Sequence, residues 1–192
     1  LHPALTGGRI RGTCGVNQES LSRLKAAVRD VFDFPKPGIV FKDITPILAS
    51  GELFRAAIDE YIAAIGDAKP DKIVGIDARG FIFGAAIADR LGVGFIPVRK
   101  KGKLPWSTHG ASYSLEYGEA HVEIHQDAVR PGERVVLIDD LLATGGTAGA
   151  ALRLIEELGG EVLCLLFLIE LSFLDGRKNL DPAVRTESLL SY

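Results

Sequence analysis

The sequence predicts an α/β fold, a single domain with a mainly parallel sheet flanked by helices, and three observations carry that prediction. The run Val135-Val136-Leu137-Ile138 is apolar at every position, as a strand buried on both faces of a parallel sheet must be. Strand patterns alternate with helical ones along the chain, which is the signature of βαβ units. No repeat or composition shift divides the 192 residues, a length that suits one domain with a good-sized core.

Residues 1–18 are polar and glycine-rich, without periodicity or an apolar signal core, and read as a flexible tail ahead of a domain over 19–192. Leu21, Leu24, Val28 and Val31 recur at helical spacing, so 19–31 is expected to be an amphipathic helix. Pro35 and Pro37 end it and open a long loop up to Pro46. Ser50 then caps a helix carrying Leu53, Phe54, Ala57, Ile58, Tyr61, Ile62 and Ile65, stopped near Gly66. A strand over 72–76 turns at Asp77-Ala78-Arg79-Gly80 into a helix over 81–91, with Gly92 beyond its end. Another strand covers 94–98. The polar stretch 99–112 has no apolar period and reads as one long functional loop. Val122 and Ile124 alternate with polar neighbours as a half-buried strand, and Pro131-Gly132 turns into the motif strand. A helical pattern over 150–158, a strand over 161–170 and a loop-like C-terminal tail complete the chain.

Hydrophobic residues make up 47% of the chain and the net charge is −3, a balance that argues against a general nucleic-acid or membrane-surface role. No apolar run approaches the ~20 residues of a membrane span. Cys14 lies in the tail and Cys164 in an apolar strand, so no disulfide framework is expected and a reducing cytosol fits.

The chemistry concentrates where the motif strand ends, at Asp139-Asp140-Leu141-Leu142-Ala143-Thr144-Gly145-Gly146-Thr147. Ligands of open α/β sheets bind at the carboxyl ends of strands. Gly145 and Gly146 let the backbone approach a ligand, Thr144 and Thr147 add hydroxyls, and the following helix presents free N–H groups that favour a phosphate. Asp139 and Asp140 accept hydrogen bonds only, which suits the vicinal hydroxyls of a ribose. The Gly-Lys-Ser/Thr ending of a P-loop is missing. A ribose 5-phosphate site is the reading; a plain connection with two solvated aspartates is its alternative.

The acidic pair followed by Ala-Thr-Gly-Gly-Thr resembles the phosphoribosyl pyrophosphate (PRPP) motif of the type I phosphoribosyltransferase family, in the form found in its adenine-specific branch. Phe34–Phe41, Asp77–Phe81 and Tyr113–Gly118 are similar to further segments of that branch, in the same order, over residues 19–172. The resemblance implies the family's fold with an N-terminal base-binding hood and a mobile catalytic loop. It implies transfer of a 5-phosphoribosyl group from PRPP to N9 of adenine, giving AMP and pyrophosphate in purine salvage. Asp139 and Asp140 would then engage the ribose, and Ala143, Thr144, Gly145, Gly146 and Thr147 the 5-phosphate.

Arg79 offers a planar fork of donors for phosphate, or belongs to a surface salt bridge. Arg99, Lys100, Lys101 and Lys103 form either a solvated face or a cluster for an anion. The resemblance implies that Asp77, Ala78, Arg79 and Gly80, with Arg99, Lys100 and Lys103, hold the pyrophosphate, and that Arg79, Lys100 and Lys103 act in catalysis under a loop that excludes water. The segment Trp106-Ser107-Thr108-His109-Gly110 departs from the family's loop. From pattern alone Phe41 anchors its loop in the core; the resemblance makes it the adenine-stacking residue, beside Val40 and Lys42. Glu116 is by itself a solvent-facing glutamate, and the resemblance implies a general acid/base. No histidine pairs with cysteine or carboxylate at metal-ligand spacing. Mg²⁺ is expected through PRPP or pyrophosphate, with Asp139 or Asp140 reaching it through water. A cytoplasmic homodimer without nucleic-acid or membrane partners completes the expectation. Two rivals remain at this point: a phosphoribosyltransferase for another base, and a regulatory PRPP binder without catalysis.

Overall fold

A computed structural model describes residues 17–115 and 118–192. Asn17 Oδ1 accepts from the Glu19 N–H (3.0 Å) and starts α1 (Gln18–Ala27), which buries Leu24. The chain then turns extended at Val28. β1 (Arg29–Phe32) pairs antiparallel with β2 (Val40–Asp43), Val31 opposite Phe41. The helix expected over 19–31 therefore ends at Ala27, because Val31 finds a cross-strand partner in place of a helical face. The loop expected up to Pro46 contains β2 and leads into α2 (Thr45–Ala49), where Pro46 occupies the first turn and no N–H is missed. Ser50 Oγ accepts from the Leu53 N–H (3.3 Å) to cap α3 (Gly51–Ile65), as its sequence predicts.

The main sheet contains β3 (Lys72–Ile76), β4 (Gly94–Lys100), β5 (Thr108–Leu115), β6 (Gly118–His125), β7 (Arg134–Leu142), β8 (Glu161–Glu170) and β9 (Thr186–Ser191), in the order β5-β6-β4-β3-β7-β8-β9. From β4 to β9 every pairing is parallel. β5 and β6 form an antiparallel hairpin that joins the sheet where Arg99 and Lys100 pair with Glu123 and Val122. The stretch 99–112, expected as one loop, is thus the end of β4, a connection over 101–107 and the start of β5. Antiparallel pairing with β6 supplies the order that its polar sequence conceals. The C-terminal segment, expected as a loop, holds two short 3₁₀ turns (Ser172–Leu174 and Gly176–Asn179) and the edge strand β9.

Alternation along the central strands feeds two cores. Val136, Ile138, Cys164 and Leu166 face α3 and α4 (Arg79–Leu91), while Val135, Leu137, Leu165 and Phe167 face α5 (Gly146–Glu157). Both faces are buried, which explains the unbroken apolar run of β7. The crossover β3-α4-β4 moves one way along the sheet and β7-α5-β8 the other. Right-handed crossovers in opposite directions place their helices on opposite faces, so a crevice opens between the ends of β3 and β7. Among the described residues no helix is long and apolar enough to cross a membrane.

Candidate active site

The crevice is walled by the two strand ends. On the β3 side, Asp77-Ala78, a cis peptide, leads directly into α4 at Arg79. Gly80 is buried against β7: a methyl there would lie 2.8 Å from the Ile138 carbonyl oxygen and 2.9 Å from Asp139 Oδ1. Only a residue without a side chain lets α4 start this close to the acidic pair. On the β7 side, Asp139 Oδ1 accepts from the Asp140 N–H (2.9 Å), and Asp140 Oδ2 is 2.6 Å from Arg79 Nε. The Arg79 guanidinium also lies 5.4 Å from the centre of the Phe41 ring. One side chain therefore touches both the acidic pair and the aromatic of β2.

Burial, and next the Asp140 charge, push the Asp139 carboxyl well above the ordinary carboxylate range. Burial raises Asp140 as well, while Arg79 pulls it back. Two enclosed carboxyls with one cation between them are a site short of donors. Beneath them the fully buried Tyr61 of α3 donates its hydroxyl to the Asp139 carbonyl (2.8 Å), fixing the strand end from the core side.

Beyond the pair, the loop 143–145 ends with Gly145 at φ +79°, which lets the chain swing into α5. The first-turn amides of α5 have no partner within the helix, so they point at a concavity of about 70 Å³ lined by Asp139, Ala143, Thr144, Gly146 and Thr147. This concavity adjoins a wider cleft of about 360 Å³ lined by Asp77, Arg79, Asp140 and Thr147. Gly176 approaches Gly145 and Ala143 so closely that a methyl on Gly176 would overlap their backbone, and Asn179 Nδ2 donates to the Thr144 carbonyl (2.7 Å).

A family model for the phosphoribosyl transferase domain matches residues 42–180. The adenine phosphoribosyltransferase of Desulfitobacterium hafniense is 53% identical over 165 residues, 86% of this chain and 95% of that protein. The crystal structure of the Rhodothermus marinus adenine phosphoribosyltransferase superposes with a TM-score of 0.88 at 51% identity, covering 92% of this chain and all of that one. The Saccharomyces cerevisiae enzyme, solved with adenine and an imino-altritol bisphosphate, gives a TM-score of 0.85 at 41% identity over 90% of this chain and 99% of that one. The chain belongs to the adenine phosphoribosyltransferase family.

Against that family frame, the crevice gathers Asp77, Ala78, Arg79, Gly80, Asp139, Asp140 and 143–147, all of them legible as candidates in the sequence. Phe41 joins them from β2, packed edge-on against Phe34 with ring centres 5.2 Å apart, while Val40 is exposed. Lys42 points elsewhere: its ammonium is 2.6 Å from Asp30 Oδ1 and 4.2 Å from the Tyr192 ring centre, so only its backbone is left for the Phe41 side. Arg99 turns inward, donating to Asp77 Oδ2 (3.1 Å) and to the Lys103 carbonyl (3.0 Å). Lys100 and Lys103 remain exposed at the mouth. Glu116 lies outside the described residues. The sequence missed Tyr61, Gly176 and Asn179, and gave Tyr113 no role of its own although it opens the Tyr113–Gly118 segment. Tyr61 looks like any core residue of an amphipathic helix, and Gly176 and Asn179 sit in a segment without periodicity.

Proposed function

We propose that this chain transfers the 5-phosphoribosyl group of PRPP to N9 of adenine, releasing AMP and pyrophosphate. Asp139 and Asp140 accept from the 2- and 3-hydroxyls of the ribose, which supply the donors that the enclosed pair lacks. Ala143–Thr147 and the first turn of α5 hold the 5-phosphate. The turn Asp77–Gly80, with Arg79, Lys100 and Lys103, holds the pyrophosphate; Arg99 serves it by fixing Asp77. Phe41 stacks on adenine with backbone groups of Val40 and Lys42 at the ring edge. Glu116 exchanges a proton with the base or orients it. Charge develops on the ribosyl carbon as the bond to pyrophosphate breaks, so positioning and fixed charges dominate the rate.

Mg²⁺ fits the donor set. No group of three or more His, Cys, Asp or Glu gathers for a metal among the described residues, so the ion would ride on the diphosphate with Asp139 or Asp140 reaching it through water. Bound there, it neutralises the leaving pyrophosphate. A homodimer in the cytoplasm is part of the same proposal, carried over from the family resemblance.

The observation that carries the proposal is the position of Arg79, 2.6 Å from Asp140 and facing Phe41, because ribose, pyrophosphate and base elements meet at that one residue. The test is product formation from PRPP and Mg²⁺ with adenine, hypoxanthine, guanine and orotate in parallel. AMP from adenine alone is expected. Product from another base refutes the Phe41 pocket, and no product with PRPP bound refutes catalysis.

A further inference from the structure

The proposed chemistry makes no use of Tyr113, yet its phenol is hydrogen-bonded to a residue of the phosphate loop. Thr147 Oγ1 donates to the Tyr113 hydroxyl at 3.0 Å, joining β5 of the hairpin to the first turn of α5. The two elements are held in register by other contacts: Arg153 of α5 donates to the Ser112 carbonyl (3.2 Å), and His109 Nε2 lies 2.5 Å from Glu157 Oε2. The phenol is therefore fixed where it stands, half-buried beside Thr147.

A threonine hydroxyl carries one proton, and here that proton is engaged with Tyr113. A phosphate oxygen at neutral pH accepts hydrogen bonds. To bind it, Thr147 must turn its proton away from Tyr113 and toward the ligand. The Thr147 oxygen then becomes an acceptor facing a phenol that still has a proton to give. Tyrosine can reverse its role in this pair; phenylalanine, of nearly the same shape, cannot.

We propose that Tyr113 is a positioning residue for the 5-phosphate subsite. It accepts from Thr147 in the free protein and donates to Thr147 once the phosphate has taken the threonine proton. The pair thereby orients the Thr147 hydroxyl in both states and ties phosphate occupancy to the hairpin. No covalent bond forms or breaks, and each hydroxyl keeps its own proton. The proposal rests on the assignment of Thr147 to the 5-phosphate.

Tyr113→Phe keeps the ring and removes the exchange partner. Its dissociation constant for PRPP, measured by calorimetry, is expected to rise about two- to threefold: a Thr147–Tyr113 bond exists in both states, so what is lost is the prior orientation of the Thr147 hydroxyl, which the phosphate must now order. The KM for adenine and kcat are expected to stay at wild-type values, and Tm to fall by about 1–6 °C, the worth of the one bond lost from the free protein. Thr147→Ala is expected to weaken PRPP binding on its own, and adding Tyr113→Phe to it is expected to change nothing further. Unchanged PRPP affinity in Tyr113→Phe overturns the proposal. So does an equal loss in the Thr147→Ala background, or a parallel loss of adenine affinity, which marks a packing role. Wild-type PRPP affinity in Thr147→Ala overturns the phosphate assignment itself, and the proposal falls with it.

Discussion

Replacing Gly80 with alanine sets helix propensity against packing, and the structure decides between them. Alanine inside a helix gains about 0.5–1 kcal/mol over glycine. The added methyl, however, meets the Ile138 carbonyl oxygen at 2.8 Å and Asp139 Oδ1 at 2.9 Å, with the Asp139 Cα at 3.2 Å. Ordinary contact begins near 3.4 Å, so α4 and β7 must separate by about 0.6 Å, and two of the three opposing atoms are backbone that cannot rotate away. Overpacking of this kind costs about 1–3 kcal/mol. The clash outweighs the propensity gain, and a net loss of about 1–2 kcal/mol lowers Tm by about 2–8 °C in a chain of this size. The same shift widens the Arg79–Asp140 ion pair on which the crevice closes. A misplacement near 1 Å costs about a hundredfold in rate, so about 0.6 Å is expected to lower kcat/KM by about tenfold or more. Thermal unfolding and AMP formation are measured beside Gly51→Ala in α3, whose methyl meets open space, so that activity is unchanged and Tm holds or rises with the helix propensity alone. A Gly80→Ala protein as active as wild type and more heat-resistant would refute the close approach of α4 to the acidic pair.

Asp139→Asn with Asp140→Asn replaces two carboxyl acceptors worth about 2–4 kcal/mol together, so turnover is expected to fall about 30- to 1,000-fold; normal AMP formation removes the ribose role. Phe41→Ala deletes a stacking face of about 1–3 kcal/mol, which raises the KM for adenine about five- to 150-fold in steady-state kinetics; an unchanged KM places the base elsewhere. Arg177 holds the Glu170 carboxyl below its ordinary value of 4.5 through hydrogen bonds of 2.8 and 2.7 Å. Because the folded pKa is lowered, this pair stabilises fully above the ordinary value and loses its contribution as pH falls through the folded one. In Tm-against-pH curves Glu170→Gln is therefore expected to lie below wild type at neutral pH and to fall less steeply in acid; parallel curves contradict it.

How much of this was legible depended on burial. β7 and β8 announced themselves because strands covered on both faces carry no polar alternation, and the acidic pair stood out against that background. α3 was legible from its spacing and the Ser50 cap. β1, β2 and β9 are short or at an edge, so their patterns are too brief to separate from loop or helix; Val28 and Val31 fit a helical stripe until Phe41 supplies a cross-strand neighbour. β5 opens on the polar Thr108-His109-Gly110 and alternates only briefly, at Ala111, Tyr113 and Leu115, so it owes its form to β6. In the site, the residues proposed to touch the ligand sit in compact motifs. Those that brace the motifs, Tyr61, Gly176 and Asn179, come from distant segments, and no local pattern marks a residue whose role exists only after the chain has folded.

One corner of the molecule links the far ends of the described chain. Lys25 of α1 donates to the Ser191 carbonyl (3.0 Å), and the Lys42 ammonium, on the strand that carries Phe41, lies over the Tyr192 ring. Ribosomal synthesis runs from the N-terminal side, so Phe41 emerges early and Tyr192, against its neighbour Lys42, emerges after every other described element. The strands and helices over 72–158 that carry the acidic pair and its following loop emerge before β9 exists to pair with β8, and the 176–179 segment that backs the loop emerges between them. The wall beside Phe41 can settle only after β9 has docked. The order of manufacture thus spreads the crevice over time: its acidic pair is made first, the backing of the 143–145 loop next, and the contacts of Lys42 with Tyr192 after those.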